Sequence, residues 1–554
     1  MHPLFDSSFS EQLTAAAHEI MQVIAPERVH FNAQELYGIC TTGATRQIPF
    51  AVKAVDRNEI LHVLSVARAH RLPVYTISTG KNWGYGTANP VENFCIVLDL
   101  SLMNRILDFS SDLASVRVQP GVTQGQLYQF MQEHGHEFLV PVTGAGPHAS
   151  LMGNLLERGY GITPHTDHFA ALLSLEAILP NGEVYSSTLN DLGCGNINHH
   201  FKWGLGPYLD GLFAQSNFGI VVECTIALMR KPQSISGFIF TLNSPKDVGK
   251  AAEALRNLSQ SLPGILGGMN LMNSHRMLAM TAPFPSAQVK PGESISAELM
   301  QDLCRQHNIA AWTGIGGIYG TKAVVKAAKK EIRRQLRPLA KKLTFIDERT
   351  LSTLNLVSEY VPEFLNKKAL VLLSQKARKV LDVVSGVPTE AALPLSYWKT
   401  QKKYTAKQKH NIATDDCGLI WYSPLVLNRD LEIEKYISFV QRICQKYAME
   451  PLITLTTVSE RCFDSTVPLL FDRKDKDALQ RAQQCYQELL LEGQKLGFFP
   501  YRLGIEQMAQ IVENPDSVSW KLVEKIKNAV DPLNILSPGR YCPSKSVARG
   551  SASS

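Results

Sequence analysis

Two glycine-rich segments in the first third of the chain constrain its fold more than any other feature. The first segment reads TISTGKNWGYGTANP and spans residues 76–90. The sequence before it predicts a strand, a helix and a second strand, with Asp56 as N-cap and with Ile60, Val63 and Leu64 on the apolar face of the helix. A glycine loop that follows such a strand can present its N–H groups to phosphate oxygens. The pattern therefore favours either a phosphate-binding loop or an ordinary surface turn.

The residue types of this first loop suit a phosphate, although the loop is not a P-loop. Hydroxyl groups, glycines and a cation could surround the ligand, and they are contributed by Ser78, Thr79, Gly80, Lys81 and Gly84. The order GxxxxGK(S/T) is absent, and no kinase or GTPase motif follows.

The second glycine-rich segment spans residues 141–169 and reads PVTGAGPHASLMGNLLERGYGITPHTDHF. Its GAGPHA portion superficially matches GxGxxG/A, but Pro147 interrupts it and another Gly/Asn turn follows at once. We exclude a Rossmann fold, because that motif needs a strand before it, a helix opening inside it and a later acidic residue. A third run, GIGGIYG at 314–320, is typical of a strand or a turn. Two separate loops of this kind imply a large ligand with a polyphosphate in its middle.

The length of 554 residues exceeds what one hydrophobic core usually supports, so we expect at least two domains. Hydrophobic residues make up 45% and charged residues 19%, as in an ordinary globular protein. The net charge is only +6 and no basic run is interleaved with aromatic residues, so no nucleic-acid partner is expected. The basic segment 322–343 predicts an amphipathic helix, whose charges form a solvated face or, as the alternative, an anion-docking patch.

Several expected absences follow from the same sequence. No apolar run approaches about 18 residues, so we expect no membrane span. Scattered cysteines without a CxxC pair, and a start without signal-peptide features, indicate reduced thiols in the cytoplasm. His165, Asp167 and His168 have a spacing that could suit a metal, but no further ligand is evident and no metal site is predicted. The small, polar tail at 546–554 is expected to be disordered.

The order of predicted elements indicates an α+β protein. Residues up to about 40 look helical, and short strands and helices then alternate to about residue 232. Between 233 and 499, longer helices such as KDVGKAAEALRNLSQSL alternate with strands such as SGFIFTL, LIWYSPLVL and PLITLTTV. This second pattern suits another α+β domain with an antiparallel sheet.

Seven segments resemble segments of one enzyme family and occur in the same order as in that family: STGKNWGYGTANP, MGNLLERGYGITPHTDHF, LPNGEVYSS, FKWGLGPYLDGLFAQSNFGIV, GVPTEAALPLSYW, FFPYRLG and DPLNILSPGRY. In them the chain resembles the vanillyl-alcohol oxidase and p-cresol methylhydroxylase family of FAD enzymes. The resemblance implies a two-domain FAD-binding α+β fold of the p-cresol methylhydroxylase type, with an antiparallel-sheet cap domain. The FAD-binding domain would comprise residues 1–232, with its core at about 44–232, and the returning segment 500–545. The cap would comprise residues 233–499.

The resemblance also implies which residues contact FAD. The first glycine loop would cradle the diphosphate, through Ser78, Thr79, Gly80, Lys81, Asn82, Trp83 and Gly84. The second segment would line the flavin and the adenosine part, through Gly153, Asn154, Glu157, Asp167 and His168. Backbone contacts to the adenine or ribitol end would come from Gly219, Ile220 and Val221, and Arg540 would close the site.

Members of this family abstract a hydride from a carbon para to a phenolic hydroxyl, and flavin N5 accepts the hydride. Two tyrosines and an arginine bind the phenol as a phenolate, and Tyr85, Tyr501 and Arg502 stand at the matching positions. Water then adds to the resulting quinone methide, or a double bond remains. Arginine stays protonated and can stabilise the phenolate directly. The alternative for each residue is structural: Tyr85 could pack the loop, and Arg502 could be a surface charge.

The chain departs from the family pattern at several positions. Leu419 stands where some members attach FAD through a histidine or tyrosine, and Tyr422 would face the other side of an extended strand, so we expect non-covalent FAD. One cap segment carries a paired-histidine motif in the phenol oxidases, and the matching segment here, TLTTVSERCFDSTVPLLFDR, has no histidine. Its available polar groups are those of Glu460, Arg461 and Asp464. Pro500 stands where some members have a glutamate. Some members also place an acidic residue near flavin N5, and the matching segment VTGAGPHAS offers only His148. These changes imply an altered substrate end of the pocket.

The sequence thus predicts an FAD-linked oxidase or dehydrogenase acting on a small aromatic substrate, a para-substituted phenol. The alternatives are oxidation of a non-phenolic alcohol or amine by the same fold, and a flavin-binding subunit that does not catalyse. The electron acceptor would be oxygen or a redox protein such as a cytochrome. Family members commonly form dimers, so a homodimer is also implied.

Overall fold

The computed structural model describes residues 7–360, 367–400, 402–405 and 410–543. The predicted disordered tail at 546–554 lies outside these described residues.

The strands are β1 (Val29–His30), β2 (Ala51–Lys53), β3 (Val74–Ile77), β4 (Ile96–Asp99), β5 (Ile106–Ser110), β6 (Ser115–Val118), β7 (Phe138–Leu139), β8 (Leu172–Ile178), β9 (Val184–Tyr185), β10 (Ile220–Ala227), β11 (Met229–Arg230), β12 (Ser234–Leu242), β13 (Asn270–Asn273), β14 (Trp312–Gly320), β15 (Ala340–Ile346), β16 (Cys417–Tyr422), β17 (Pro424–Leu427), β18 (Thr454–Thr457), β19 (Cys462–Asp472) and β20 (Phe499–Pro500).

The α-helices are α1 (Ser7–Ile20), α2 (Ala33–Tyr37), α3 (Arg57–Ala69), α4 (Gln124–Glu133), α5 (Leu151–Leu156), α6 (Thr188–Asp191), α7 (Gly195–Asn198), α8 (Val248–Ser261), α9 (Ser274–Thr281), α10 (Ala297–Gln306), α11 (Lys322–Leu336), α12 (Glu348–Tyr360), α13 (Lys367–Val384), α14 (Asp430–Lys446), α15 (Lys476–Leu496), α16 (Met508–Val512) and α17 (Val518–Val530).

The first glycine loop follows β3, a strand of a small sheet with the order β1-β2-β4-β3. In this sheet β2, β4 and β3 are parallel. The predicted strand–helix–strand unit before the loop is confirmed as β2, α3 and β3. Asp56 caps α3 because its side chain accepts a hydrogen bond from the N–H of Glu59, and Ile60, Val63 and Leu64 are buried against the sheet. The loop therefore begins at the carboxyl end of a parallel strand, β3.

The sequence predicted helix up to about residue 40. The helices α1 and α2 confirm this in part, but the segment between them is not an α-helix. Pro26–Arg28 forms a 3-10 turn, and the residues of β1 pair with β2. Pro26 fixes its own φ and lacks an N–H donor, so a continuous helix is disfavoured there.

A second sheet in the first half of the chain is antiparallel, with the order β5-β6-β10-β8-β9. The helix α5, which carries Gly153, packs against this sheet through Leu151, Met152 and Leu155. The two sheets thereby hold the two glycine-rich segments that the sequence singled out.

The larger sheet has nine strands, and its main path is β15-β12-β14-β13-β18-β19-β17-β20, with β16 also paired to β19. Every pairing in it is antiparallel, as predicted for the region from 233 to 499. The apolar sides of α8, α11, α14 and α15 join the main hydrophobic core with this sheet. The run GIGGIYG is part of β14, which settles its strand-or-turn alternatives in favour of a strand.

The basic segment 322–343 is a helix for only part of its predicted length. The helix α11 ends at Leu336, and β15 begins at Ala340. Pro338 lies between them. Proline disfavours the helical conformation of the residue before it, which explains why the regular pattern of charges does not continue as a helix.

Among the described helices, none is both long and apolar enough to cross a membrane. All ten cysteines are free thiols.

Candidate active site

The two glycine-rich segments and the nine-stranded sheet border one cavity of about 440 Å³. Most of the residues singled out from the sequence line it: Ser78, Thr79, Gly80, Lys81, Asn82, Trp83, Tyr85, Gly153, Asn154, Glu157, Gly219, Ile220, Val221, Tyr501, Arg502 and Arg540. The opposite wall includes Leu419 and Trp421 from β16 and Thr466 from β19. Segments more than 400 residues apart thus meet at one site.

The other three predicted cofactor residues do not line the cavity. Gly84 has φ +78°, and a Cβ there would lie 2.2 Å from Cδ1 of Trp421, so glycine is required for backbone conformation and close packing. Asp167 is exposed, and its carboxylate accepts a hydrogen bond of 2.9 Å from the N–H of Ala170. His168 is buried, and its Nδ1 lies 2.5 Å from Nδ2 of Asn154. Burial lowers the pKa of His168 to about 4, so it supports Asn154 as a neutral ring.

The two glycine-rich segments touch each other at the cavity. A Cβ on Gly153 would lie 2.5 Å from the hydroxyl of Ser78, so the second segment approaches the first as closely as only glycine allows. Ser150 caps α5 by accepting a hydrogen bond of 2.9 Å from the N–H of Gly153. In the described part of the chain, the N–H groups of Thr79 and Gly80 donate to no protein atom. Two backbone donors therefore remain for a ligand in the cavity.

Tyr85, Tyr501 and Arg502 lie together at this cavity. The Arg502 guanidinium carbon is 4.4 Å from the centre of the Tyr85 ring, a cation–π arrangement. Ser423 joins the two tyrosines, because its hydroxyl lies 2.8 Å from the Tyr85 hydroxyl and its carbonyl accepts a 3.2 Å hydrogen bond from the N–H of Tyr501. The Tyr85 carbonyl in turn accepts from the N–H of Ile505 at 3.0 Å. The loop at 76–90 and the segment after β20 are therefore held as one unit.

The two tyrosine hydroxyls of this group keep their protons near neutral pH. Burial raises the pKa of Tyr85 to about 12, although the nearby Arg502 charge opposes the increase. Burial also raises the pKa of Tyr501 well above its ordinary value. Both groups are therefore available as hydrogen-bond donors to an anion.

Arg502 belongs to a charged cluster that the sequence did not predict as a unit. Its Nε lies 2.9 Å from Oε2 of Glu157, and the other oxygen of that carboxylate accepts a hydrogen bond from Arg540. Its Nη2 lies 2.5 Å from Oδ1 of Asn82. Burial alone would raise the pKa of Glu157, but the charges of Arg502 and Arg540 outweigh it and lower that pKa. Two guanidinium groups and one carboxylate leave one net positive charge at the cavity wall.

One further aromatic residue, Tyr160, and one acidic residue, Asp464, connect the site to the nine-stranded sheet. Tyr160 lines the cavity, its ring centre is 5.9 Å from that of Tyr501, and its hydroxyl donates to the carboxylate of Asp464. Asp464 is fully buried in β19, and burial raises its pKa to about 7 although the hydrogen bond from Tyr160 opposes this. Asp464 was noted from the sequence only as an available polar group. Tyr160 was missed, although it lies inside the quoted glycine-rich segment.

Arg276, on α9, also lines the cavity and was missed by sequence reasoning. Its surroundings in the sequence, SHRMLAMT, carry no motif that distinguishes it from a surface arginine. The other polar residues noted from the sequence lie elsewhere: Glu460 and Arg461 pair with each other at the surface, and His148 is exposed.

Comparisons with known proteins agree with this architecture. Residues 49–188 match the FAD binding domain family. The 1'-carboxy-chondrochloren decarboxylase of Chondromyces crocatus is 32% identical over 505 residues, which cover 90% of this chain and 92% of that protein. The 4-cresol dehydrogenase (hydroxylating) flavoprotein subunit of Pseudomonas putida is 29% identical over 494 residues, 88% of this chain and 87% of that protein. A crystal structure of p-cresol methylhydroxylase with substrate bound superposes with a TM-score of 0.85 at 25% identity, covering 96% of this chain and 97% of that one.

The chain belongs to the vanillyl-alcohol oxidase and p-cresol methylhydroxylase family of FAD enzymes. This confirms the family and the fold predicted from the seven segments, and it makes the protein an oxidoreductase with FAD as cofactor.

The cavity of this flavoenzyme fits FAD chemically. The unpaired N–H groups of Thr79 and Gly80 and the net positive charge of the Glu157 cluster suit the two negative charges of a diphosphate. Bound FAD would supply a hydride acceptor. These residues would hold it, and their individual contacts to it stay a prediction.

The side chains at β16 match the expected non-covalent attachment of FAD. Leu419 lines the cavity and has no group that could bond to a flavin. Tyr422 is buried in the main core, where its hydroxyl donates to the carbonyl of Phe498 at 3.2 Å. We therefore retain dissociable FAD as a prediction.

Proposed function

We propose that this flavoenzyme removes a hydride from the carbon attached to the ring para to a phenolic hydroxyl, and that Tyr85, Tyr501 and Arg502 bind the phenol as a phenolate. The single observation that carries the proposal is the meeting of these three side chains at the cavity, with Arg502 4.4 Å from the Tyr85 ring centre. A permanent cation and two neutral hydroxyl donors form the kind of group that stabilises an oxyanion.

The proposed reaction is balanced in protons and electrons. The phenol gives its proton to solvent on binding, and the phenolate oxygen then pushes an electron pair toward the ring. Loss of a hydride from the saturated carbon attached at the para position turns the substrate into a quinone methide, and bound FAD would supply the hydride acceptor. Addition of water gives an alcohol, and loss of a proton from the next carbon gives an alkene. Arg502 and the two tyrosines hold the oxygen throughout.

Ultraviolet spectroscopy of a bound phenol tests the phenolate. We would use 4-hydroxycinnamamide, which has no saturated carbon attached at the para position and cannot give up a hydride there. A free phenol with a pKa of about 10 is neutral near pH 7, so a phenolate band on binding to the holoenzyme supports the proposal. The band of a neutral phenol in the bound state would contradict it.

The two alternatives predicted from the sequence differ in their chemistry. Oxidation of a non-phenolic alcohol or amine would need no oxyanion site, so such substrates would reduce the flavin while phenols would not perturb it. A flavin-binding subunit without catalysis would be reduced by neither class. The arrangement of Tyr85, Tyr501 and Arg502 favours the phenol over both.

A second candidate function is oxidative decarboxylation, favoured by the relative named as a decarboxylase, which is 32% identical to this chain. With 3-(4-hydroxyphenyl)propanoate, hydride loss from the methylene group attached to the ring would give a quinone methide that carries a carboxylate on the next carbon. Breaking the bond to that carboxylate would return its electron pair to the ring and release CO₂ and 4-vinylphenol. Chromatography of the products distinguishes this outcome from hydroxylation with the carboxylate retained.

We further propose that oxygen or a redox protein takes the electrons from the reduced cofactor. The Pseudomonas relative is named as a flavoprotein subunit, which supports the redox-protein partner. Ten free cysteines support a reducing compartment such as the cytoplasm. A homodimer remains part of the proposal from the family resemblance.

A further inference from the structure

Arg276 is a buried cation at the cavity whose guanidinium is not paired with any carboxylate in the described chain. Only 9% of the residue is exposed. Its Nε and Nη1 atoms are buried and have no hydrogen-bond partner among the described residues. Burying a charge without partners is costly, so an arrangement of this kind is expected where a ligand completes it.

The position of Arg276 is fixed by the local structure rather than by a flexible loop. Asn273 caps α9, and its side chain accepts a hydrogen bond of 2.9 Å from the N–H of Arg276. The Arg276 guanidinium carbon lies 5.8 Å from the centre of the Trp421 ring. Burial lowers the pKa of Arg276 only to about 10, so the side chain stays charged near neutral pH.

The neighbours of Arg276 connect it to the phenol-binding group. The backbone N–H of Trp421 donates a 3.2 Å hydrogen bond to the carbonyl of Gly84, the residue before Tyr85. Tyr160 also lines the cavity, and the centre of its ring lies 5.9 Å from the centre of the Tyr501 ring. Arg276 therefore lines the same cavity as Tyr85 and Tyr501, and Trp421 and Tyr160 line that cavity with it.

We propose that Arg276 is a specificity-determining residue that binds a carboxylate on the substrate. The inference rests on the proposed function for the phenolic end of that substrate. The planar guanidinium matches a carboxylate through two parallel hydrogen bonds, either from Nε with Nη2 or from Nη1 with Nη2, and one unpartnered atom of Arg276 belongs to each of these pairs. The substrate class is then a phenol with a carboxylate on its side chain or on a neighbouring part of the molecule.

Binding of two unreactive phenols to the holoenzyme tests this proposal. The probes are 4-hydroxycinnamate and 4-hydroxycinnamamide, which have similar shape and differ in the charge of the terminal group. Titration of the flavin absorbance gives the dissociation constant of each. We expect the wild-type protein to bind the carboxylate at least about tenfold more tightly than the amide, as one charge-assisted hydrogen bond predicts.

Two substitutions at Arg276 and one elsewhere sharpen the test. Arg276→Gln should remove the preference for the carboxylate, and Arg276→Lys should restore part of it. Arg473→Gln is the matched control, because Arg473 pairs with Asp416 at 2.9 Å and does not line the cavity. The control should keep the wild-type preference.

Several results would overturn the inference. One is a wild-type protein without the preference, which can be measured even if the Arg276 variants do not fold. Another is an Arg276→Gln protein that keeps the preference or loses affinity for both probes equally, as a contact to the cofactor would predict. These probes need no turnover, so a phenol that fails to reduce the flavin would contradict the proposed function without deciding the role of Arg276.

Discussion

The carboxylate of Glu157 lies 2.9 Å from Nε of Arg502 and also accepts a hydrogen bond from Arg540. Their side chains are 12–15% exposed, so solvent screens the three charges only weakly. Glu157 thereby joins the segment at 141–169 to the segment after β20 and to the end of the chain. It also neutralises one of the two guanidinium charges in this cluster.

Glu157→Gln should destabilise the protein by about 3–5 kcal/mol, because it leaves two buried guanidinium groups without their anion. Urea unfolding of the holoenzyme measures the change. Glu460→Gln is the control, since Glu460 pairs with Arg461 at the surface and such pairs contribute at most about 1 kcal/mol. Equal effects of the two substitutions would contradict the stabilising role of the cluster.

Tyr85→Phe and Tyr501→Phe should each slow flavin reduction by a phenol about tenfold to a hundredfold. Each change removes one hydroxyl donor to the phenolate, and a hydrogen bond to a charged group contributes about 1.5–3 kcal/mol. Anaerobic rapid mixing gives the rate of flavin reduction. Tyr422→Phe provides the comparison, because the Tyr422 hydroxyl bonds to the Phe498 carbonyl away from the cavity. If all three proteins react at the wild-type rate, the assigned roles are wrong.

Asp464 should make the free energy of unfolding depend on pH. Burial raises its pKa in the folded protein from 3.8 to about 7, so the folded state binds this proton more tightly than the unfolded state does. The resulting stabilisation is fully present below about pH 4 and is lost as pH rises toward about 7. The loss from this group is about 4 kcal/mol, since one pKa unit corresponds to about 1.4 kcal/mol.

Asp464→Asn should remove that part of the pH dependence. Denaturant unfolding at about pH 5 and about pH 8 should show a smaller difference for the variant than for the wild type. A difference that is the same in both proteins would mean that Asp464 does not titrate in this range.

FAD should be released when the protein is precipitated with acid. Leu419 lines the cavity without a reactive group, and Tyr422 is held in the core. We expect the yellow colour in the supernatant. Colour that stays in the pellet would show a covalent bond to the protein and would contradict the prediction.

The sequence revealed the parts of the site that lie in recognisable loops. The strand before residues 76–90, the N-cap at Asp56 and the antiparallel sheet after residue 233 follow from local patterns that tertiary packing did not override. The predicted length of α11 was wrong, because basic residues continue past Pro338 whereas the helix ends at Leu336. The domain division at about residue 232 stays a prediction.

The parts that the sequence did not reveal depend on contacts between distant segments. Tyr160 and Asp464 are 304 residues apart, and each looks ordinary until β19 brings them together. Arg276 stands in a helix without a motif, and only its burial at the cavity distinguishes it. Glu157 was predicted as a cofactor contact, but its pairing with both arginines could not be read from spacing.

The central claim is that the bound phenolate delivers a hydride to the flavin. The most direct test is anaerobic mixing of the holoenzyme with 4-ethylphenol and, separately, with its O-methyl ether, while the absorbance of oxidised flavin is followed. We predict rapid bleaching with the phenol and none with the ether, which cannot ionise. No bleaching with the phenol, or equal bleaching with both compounds, would contradict the account.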